Sequence, residues 1–309
     1  MSPRLQGYGY VAITMCIWGG FTIFSRLNAQ WHISAWDIVA MRFAIAFCLL
    51  VPILIYKKDW AFLWQPKAMV LALIGGVGYC LTVYSAFLYA PAAHAAIFLN
   101  GTMPLWTAIA AFVLFGQPFD RHTWLSFCII LASIGLMSVL MLRQNHSGFG
   151  VGDVLFVCSA MWWGVFTILL KQWKLSAWHA MTSVAIWSTL FYLPVYALFL
   201  PKHFSQVEPL HLGVQGLFHG VFVVILATLT YIAAIERLGA FKAGSIVNLA
   251  PFLAALIAVP LLHEPLSLSL LFGLIGMGIG ALQPWRWRLK DTLTRELEKQ
   301  KNQSGERVK

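Results

Sequence analysis

Two asparagine–proline pairs in this chain recur 147 residues apart or nearly so, and they can do one kind of chemistry well. Pro104 follows Asn100 by four residues, and Pro251 follows Asn248 by three. A proline inside a helix frees the carbonyl four residues back, here those of Asn100 and Val247. In hydrocarbon a freed carbonyl must find a partner or line a wet cavity. Two amides at two breaks would therefore grip a polar solute, with Pro104 and Pro251 as hinges. The competing assignment is that each amide bridges to a neighbouring helix.

Aromatic and hydroxyl groups repeat in the same way. Trp18 and Thr22 are four residues apart, as are Trp163 and Thr167. Residues i and i+4 share a helix face, so each pair presents a flat ring beside a hydroxyl. Tyr79, Tyr84 and Tyr231 add hydroxyl-bearing rings suited to an aromatic, apolar or cationic solute. Packing, with each threonine bonded to its own backbone, is the plainer account.

Arg42 is the one charged side chain well inside an apolar stretch. A central arginine costs about 2.5–3.5 kcal/mol on insertion scales, so it needs partners or water. Asp37 lies about 140° away on the helix wheel and is poorly placed to pair with it. Arg42 could hold a substrate carboxylate, or pin helix ends through carbonyls. No Asp or Glu occupies the middle of a span; Asp37, Asp153, Glu236 and Glu264 lie near span ends. His94, His179 and His219 are expected to be hydrogen-bonded scaffold near helix ends, with proton coupling through one of them as the alternative. An intramembrane enzyme would need clustered acids, histidines or a nucleophile with its base. No such spacing is present, and the expectation is a non-enzyme without cofactor or metal.

These residues need elements to hold them. The chain has 309 residues, 60% hydrophobic and 10% charged, with a mean hydropathy of +0.77. Soluble domains carry about 25% charged residues, so the bilayer is the natural solvent. Ten apolar runs are long enough to cross it: 7–25, 35–56, 68–89, 92–115, 122–142, 150–170, 178–200, 212–235, 240–262 and 268–284. Continuous runs of this length are helices, not barrel strands. The first is too long for a signal peptide's apolar region and is followed by Arg26, so it is an uncleaved span.

With the N-terminus inside, seventeen Lys and Arg fall on the inner side and three on the outer, Arg42 being the last of the 21. The basic balance is thus a topology signal, and no nucleic-acid partner is expected. Cys16, Cys48, Cys80, Cys128 and Cys158 lack metal or redox spacing and are expected to be small packing residues.

The phrase WGGFTIF at Trp18 returns as WGVFTIL at Trp163, and SAW at Ser34 returns at Ser176. At an offset of 147, Tyr84, Ala93, Ala96, Pro104, Ala108, Ala111, Leu114 and Pro118 meet Tyr231, Ala240, Ala243, Pro251, Ala255, Ala258, Leu261 and Pro265. The fold expected is all-α integral membrane, ten transmembrane helices as two inverted five-helix repeats, because five is odd and the second copy enters upside down. The first repeat is placed at 1–142, an external linker at 143–149, the second repeat at 150–284 and a basic cytoplasmic tail at 285–309. Gly75, Gly76 and Gly78 let backbones approach, and Gly276 and Gly280 form a close-packing pair, for a dimer or within one chain.

The duplicated chain, the Arg42–Phe43 pair and the Pro104 and Pro251 blocks resemble the EamA-like branch of the drug/metabolite transporter superfamily, over residues 7 to 285. His263-Glu264-Pro265 is similar to that family's Glu-bearing helix end; the first copy has Gly116-Gln117-Pro118 instead. The resemblance implies a secondary transporter, exporting or exchanging small metabolites such as amino acids, through a cavity between spans three, four, eight and nine. It also implies a bacterial-type inner membrane, with both termini cytoplasmic by the charge count. Its partners would be a small-molecule substrate and the lipid bilayer. It implies an arginine at position 42 whatever the substrate, which favours the pinning role. Efflux of multiple drugs or quaternary amines is the alternative, weakened by the lack of a buried acid in span one; an intramembrane enzyme or a scaffold stands behind it.

Overall fold

The computed structural model describes residues 2–143, 150–239, 243, 246–247, 249–262 and 268–282. These form ten helical spans: α1 Pro3–Gln30, α2 Ala35–Lys57, α3 Pro66–Tyr89, α4 Ala92–Phe115, α5 Arg121–Arg143, α6 Val151–Gln172, α7 Ala177–Phe199, α8 Pro209–Leu238, α9 Ala250–Leu261 and α10 Leu268–Leu282. Seven of them, α1–α4 and α6–α8, are long and apolar enough on their own to cross a bilayer. Span ends agree with the hydropathy reading within a few residues. The expected start of α9 at 240 falls in a stretch mostly outside the described residues; among the other spans the largest departure is α1, which runs four and five residues past its expected ends. Ser2 accepts from Leu5 N at its start, and Pro3 supplies a fixed φ at the first helical position.

The repeated SAW phrase has a simple structural cause. Ser34 caps α2 by accepting from Asp37 N, and Ser176 caps α7 by accepting from His179 N, both at 3.1 Å. An orphan amide at a helix start in a membrane protein needs such a partner. Lys58 and Lys174 end α2 and α6 in left-handed conformations, at φ 54° and 53°. Gly116 ends α4 at φ 62°, where a side chain would be strained.

Packing follows the duplication. α1 lies against α8 and α9, and α6 lies against α3 and α4. α2 pairs with α7, and α5 with α10. Each half therefore lends its first helix to the other. Hydroxyl bonds mark the two equivalent seams. Thr14 of α1 meets Thr230 of α8 at 2.8 Å, and Ser159 of α6 donates to Thr82 of α3 at 2.9 Å. Ser159 follows Thr14 by the same 145 residues that separate the two tryptophan phrases.

Glycines allow these close approaches. A methyl at Gly75 would collide with Phe166 and at Gly76 with Ser188, and at Gly78 it would sit tightly, 3.0 Å from Leu73 O and from Trp162. Gly276 and Gly280 face Ser133 and Ile130 of α5 in the same chain, so that pair serves packing within one molecule. Leu49, Ile53, Val113, Leu131 and Leu198 are exposed and form part of the lipid-facing shell. The cysteines correct an expectation. Cys80 is buried and Cys158 partly so, but Cys16, Cys48 and Cys128 are exposed, so packing does not account for those three.

Two kinds of helical irregularity break the spans. α4 stops at Thr102 and restarts at Met103, which places Pro104 in the first turn of the new segment rather than in a continuous helix. α9 begins at Ala250 with Pro251 in the same position. Wide π-turns occupy Ala72–Gly78 of α3, Ala95–Gly101 of α4 and Leu217–Leu226 of α8. Shifted by 147, the α3 segment falls on 219–225, inside the α8 segment. The wide turn is therefore itself duplicated, and such turns are frequent at functional sites.

Candidate functional site

A largely buried polar cluster joins three spans. Arg42 of α2 donates from Nη1 to Tyr84 Oη of α3 at 3.0 Å. Tyr84 Oη lies 2.8 Å from His219 Nδ1 of α8. Tyr84 and His219 are fully buried, and Arg42 is half-buried. Arg42 lies seven residues into α2 and His219 ten into α8, about 10 and 15 Å along their axes. Local structure sets this meeting. The wide turn of α8 packs on α2, and it carries His219 at its third residue.

Aromatic rings enclose the cluster. Phe21 of α1 has its centroid 5.7 Å from Tyr84 and 5.6 Å from His219, edge-on to the imidazole. Phe218 approaches the same imidazole at 5.3 Å, and Phe24 stacks on Phe218 at 3.9 Å. Tyr79 and Cys80 lie within electrostatic reach of the guanidinium. Arg42 has no carboxylate partner among the described residues. Asp37 is engaged elsewhere, accepting from Ser34 Oγ at 2.8 Å, Tyr196 Oη at 2.5 Å and His203 N at 3.1 Å.

The other expected site residues are distributed around this centre. Trp18 contacts Tyr231 at 5.3 Å, joining α1 to α8. Trp163 contacts Tyr79 at 4.8 Å, joining α6 to α3. The two tryptophans thus play matched parts on the two seams. Their threonines do not match: Thr22 is buried, whereas Thr167 is exposed and donates back to Trp163 O at 2.8 Å. Asn100 donates to Ala95 O at 3.1 Å, five residues back, within the wide turn of α4. Asn248 lies outside the described residues, so the pairing of the two amides is seen from one side only. Pro104 and Pro251 stand at the starts of matched helical segments.

His219 is the residue that sequence reasoning placed wrongly. It was expected near a helix end as scaffold, but it sits well within α8 and in the central cluster. His94 and His179 do lie near helix ends. His94 pairs with Asp153 at 2.7 Å, and His179 is 3.6 Å from Asp59.

A second polar group lies along α1 and α8 and was not foreseen. Gln215 Nε2 donates to Phe24 O at 2.9 Å, while its Oε1, Ser25 Oγ and both polar atoms of Asn28 are buried without partners. Thr14, Phe21, Ser25 and Asn28 follow 3-, 4- and 7-residue steps, so their shared face was legible. A groove of about 440 Å³ between α2 and α7 is a different feature. Its walls, including Ala44, Phe47, Leu190 and Leu193, are apolar, and it does not reach the Arg42 cluster.

Comparison with known proteins agrees with this architecture. The family model described as "EamA-like transporter family" matches the chain twice, over residues 5–139 and 150–283. The chain is similar to the "Uncharacterized transporter YojE" of Bacillus subtilis (strain 168), with 24% identity over 282 residues, 86% of this chain and 89% of that protein. A solved crystal structure resembles it with a TM-score of 0.58 and 20% identity, over 96% of this chain and 99% of the other. That last likeness concerns the fold alone.

Proposed function

This chain belongs to the EamA-like transporter family, and from that premise we propose that it is a secondary transporter of small metabolites, most suitably amino acids or related amphiphilic compounds. It works by alternating access, exporting or exchanging its solute around the polar centre. It performs no catalysis. The first repeat is residues 1–142 and the second is 150–284, with both termini on the cytoplasmic side of a bacterial-type inner membrane.

The single observation that carries this reading is the duplicated irregularity at the core. α3 and α8 both widen at equivalent positions, and α4 and α9 both present a proline-led helix start. Regular helices pack into a rigid bundle. Broken and widened ones tolerate small changes of axis because their backbone ladder is already interrupted. In the described conformation Tyr84 and His219 are buried, which suits an occluded stage of a transport cycle. Phe21, Trp18 and Tyr231 offer apolar and aromatic surface beside it, the complement of an amphiphilic solute.

Reconstitution tests it. Sealed vesicles containing the purified chain and loaded with unlabelled amino acid should accumulate the labelled compound transiently by counterflow. Protein-free vesicles should not. Absence of counterflow across amino acids, purines and quaternary amines, in vesicles shown to hold folded protein, would sink the proposal. Cysteine labelling of single-cysteine variants tests the topology separately: positions 2 and 58 should react from the inner side and position 202 from the outer.

A further inference from the structure

We propose that Arg42 and His219, bridged by Tyr84, form an anion site that takes the carboxylate of the transported solute. This deepens the transport assignment above and rests on it. Arg42 can only donate, and it donates to Tyr84 Oη. Tyr84 Oη has one other hydrogen-bond neighbour, His219 Nδ1, so the hydroxyl hydrogen is assigned to that contact with Nδ1 as acceptor. A neutral imidazole that accepts at Nδ1 carries its proton on Nε2. His219 Nε2 is buried without a partner, and so is Arg42 Nε. Two unmet N–H groups thus belong to the two residues that Tyr84 bridges, one of them on a permanent positive charge.

With that tautomer, both unmet groups of the cluster, Arg42 Nε and His219 Nε2, are donors. A buried donor without an acceptor loses much of a hydrogen bond's worth, and a buried cation without a counter-ion is worse. The described residues supply no acid to satisfy them, since Asp37 already serves Ser34, Tyr196 and His203. What the cluster lacks is negative charge and acceptor oxygens. A carboxylate has both, and it is a single charge against a single guanidinium. Chloride shares the charge but offers one centre, so the test separates the two.

The duplication supports a ligand role over a scaffold role. At the offset of the SAW phrase, Arg42 corresponds to Val184; at 147, His219 corresponds to Ala72. At those equivalent positions Val184 of α7 and Ala72 of α3 let the corresponding helices pack without either group. The cluster is an addition to the scaffold on one side of the two-fold relation, as a site for one end of an asymmetric solute would be.

The test is equilibrium binding to the full chain in detergent, in chloride-free methanesulfonate buffer, read by thermal shift and tryptophan fluorescence. The probes are 3-phenylpropionate, L-phenylalanine, 2-phenylethylamine and chloride alone. The two carboxylates should bind saturably, and the amine should bind at least tenfold more weakly. His219→Asn keeps a partner for Tyr84 but removes the Nε2 donor, and Arg42→Lys keeps the charge but removes the Nε donor. Each should weaken the carboxylates about 10–100-fold, the worth of one charge-assisted hydrogen bond, and leave the amine unchanged. Equal binding of amine and carboxylates, chloride binding that neither carboxylate displaces, or variants that bind carboxylates like the parent would overturn the proposal. Carboxylate binding lost in the variants, together with an absence of counterflow, would leave the anion site standing and remove the transport reading instead.

Discussion

Replacing Gly164 by alanine adds one methyl group to α6 at the point where it crosses the restart of α4. That methyl would sit 2.7 Å from Thr107 N and 2.8 Å from the Trp106 carbonyl carbon. Ordinary contact begins near 3.4 Å, so the backbones must part by about 0.7 Å. Both obstacles are main chain and cannot rotate away. Overpacking of this kind costs about 1–3 kcal/mol. Exchanging a helical glycine for alanine returns up to about 1 kcal/mol of backbone entropy. The equivalent residue in the first half, Gly19, provides the control. A methyl there meets Ala250 O at 3.5 Å and Ala254 Cβ at 3.7 Å, which is normal packing. Gly19→Ala should therefore be neutral or stabilising, and Gly164→Ala should be less stable than it by about 1–3 kcal/mol. Equilibrium unfolding in mixed micelles, titrated with SDS and followed by tryptophan fluorescence, measures the difference. Equal shifts for the two variants would refute the claim that the α4–α6 crossing is the tighter of two equivalent seams.

Two other substitutions probe different levels of the structure. Tyr196→Phe removes a donor from buried Asp37 and should cost about 1.5–3 kcal/mol, whereas Tyr192→Phe removes a bond to Trp36 O and should cost about 0.5–1.5 kcal/mol; the same titration checks the order. Asn100→Ala combined with Asn248→Ala should abolish solute-induced thermal stabilisation while the protein stays folded, and unchanged stabilisation would assign both amides to the framework.

The sequence displays the scaffold well because its signals are local. Ser34 and Ser176 cap helices in both copies, and Gly19 and Gly164 sit where first helices cross the proline-led segments. Each follows from spacing along one chain segment. The wide turns in α3 and α8 were not legible, because an extra residue in a turn is decided by what packs beside it. The partner of Asp37 was hidden for a related reason: Tyr196 is 159 residues away. His219 was misjudged because a lone histidine carries no spacing pattern, and only its contact with Tyr84 reveals its part. The lipid-facing cysteines were misjudged because a helix apolar on all sides gives no sign of which face meets a neighbour.

The exchange of first helices between the halves has a consequence for biogenesis. Thr14 finds its partner 216 residues downstream. At about 5–20 residues per second, roughly 10–40 s of translation separates the two groups. For that interval the earliest helix waits in the bilayer with its mating surface bare. Neither half can mature alone, so the molecule reaches its final form only after the ribosome has released most of the second half.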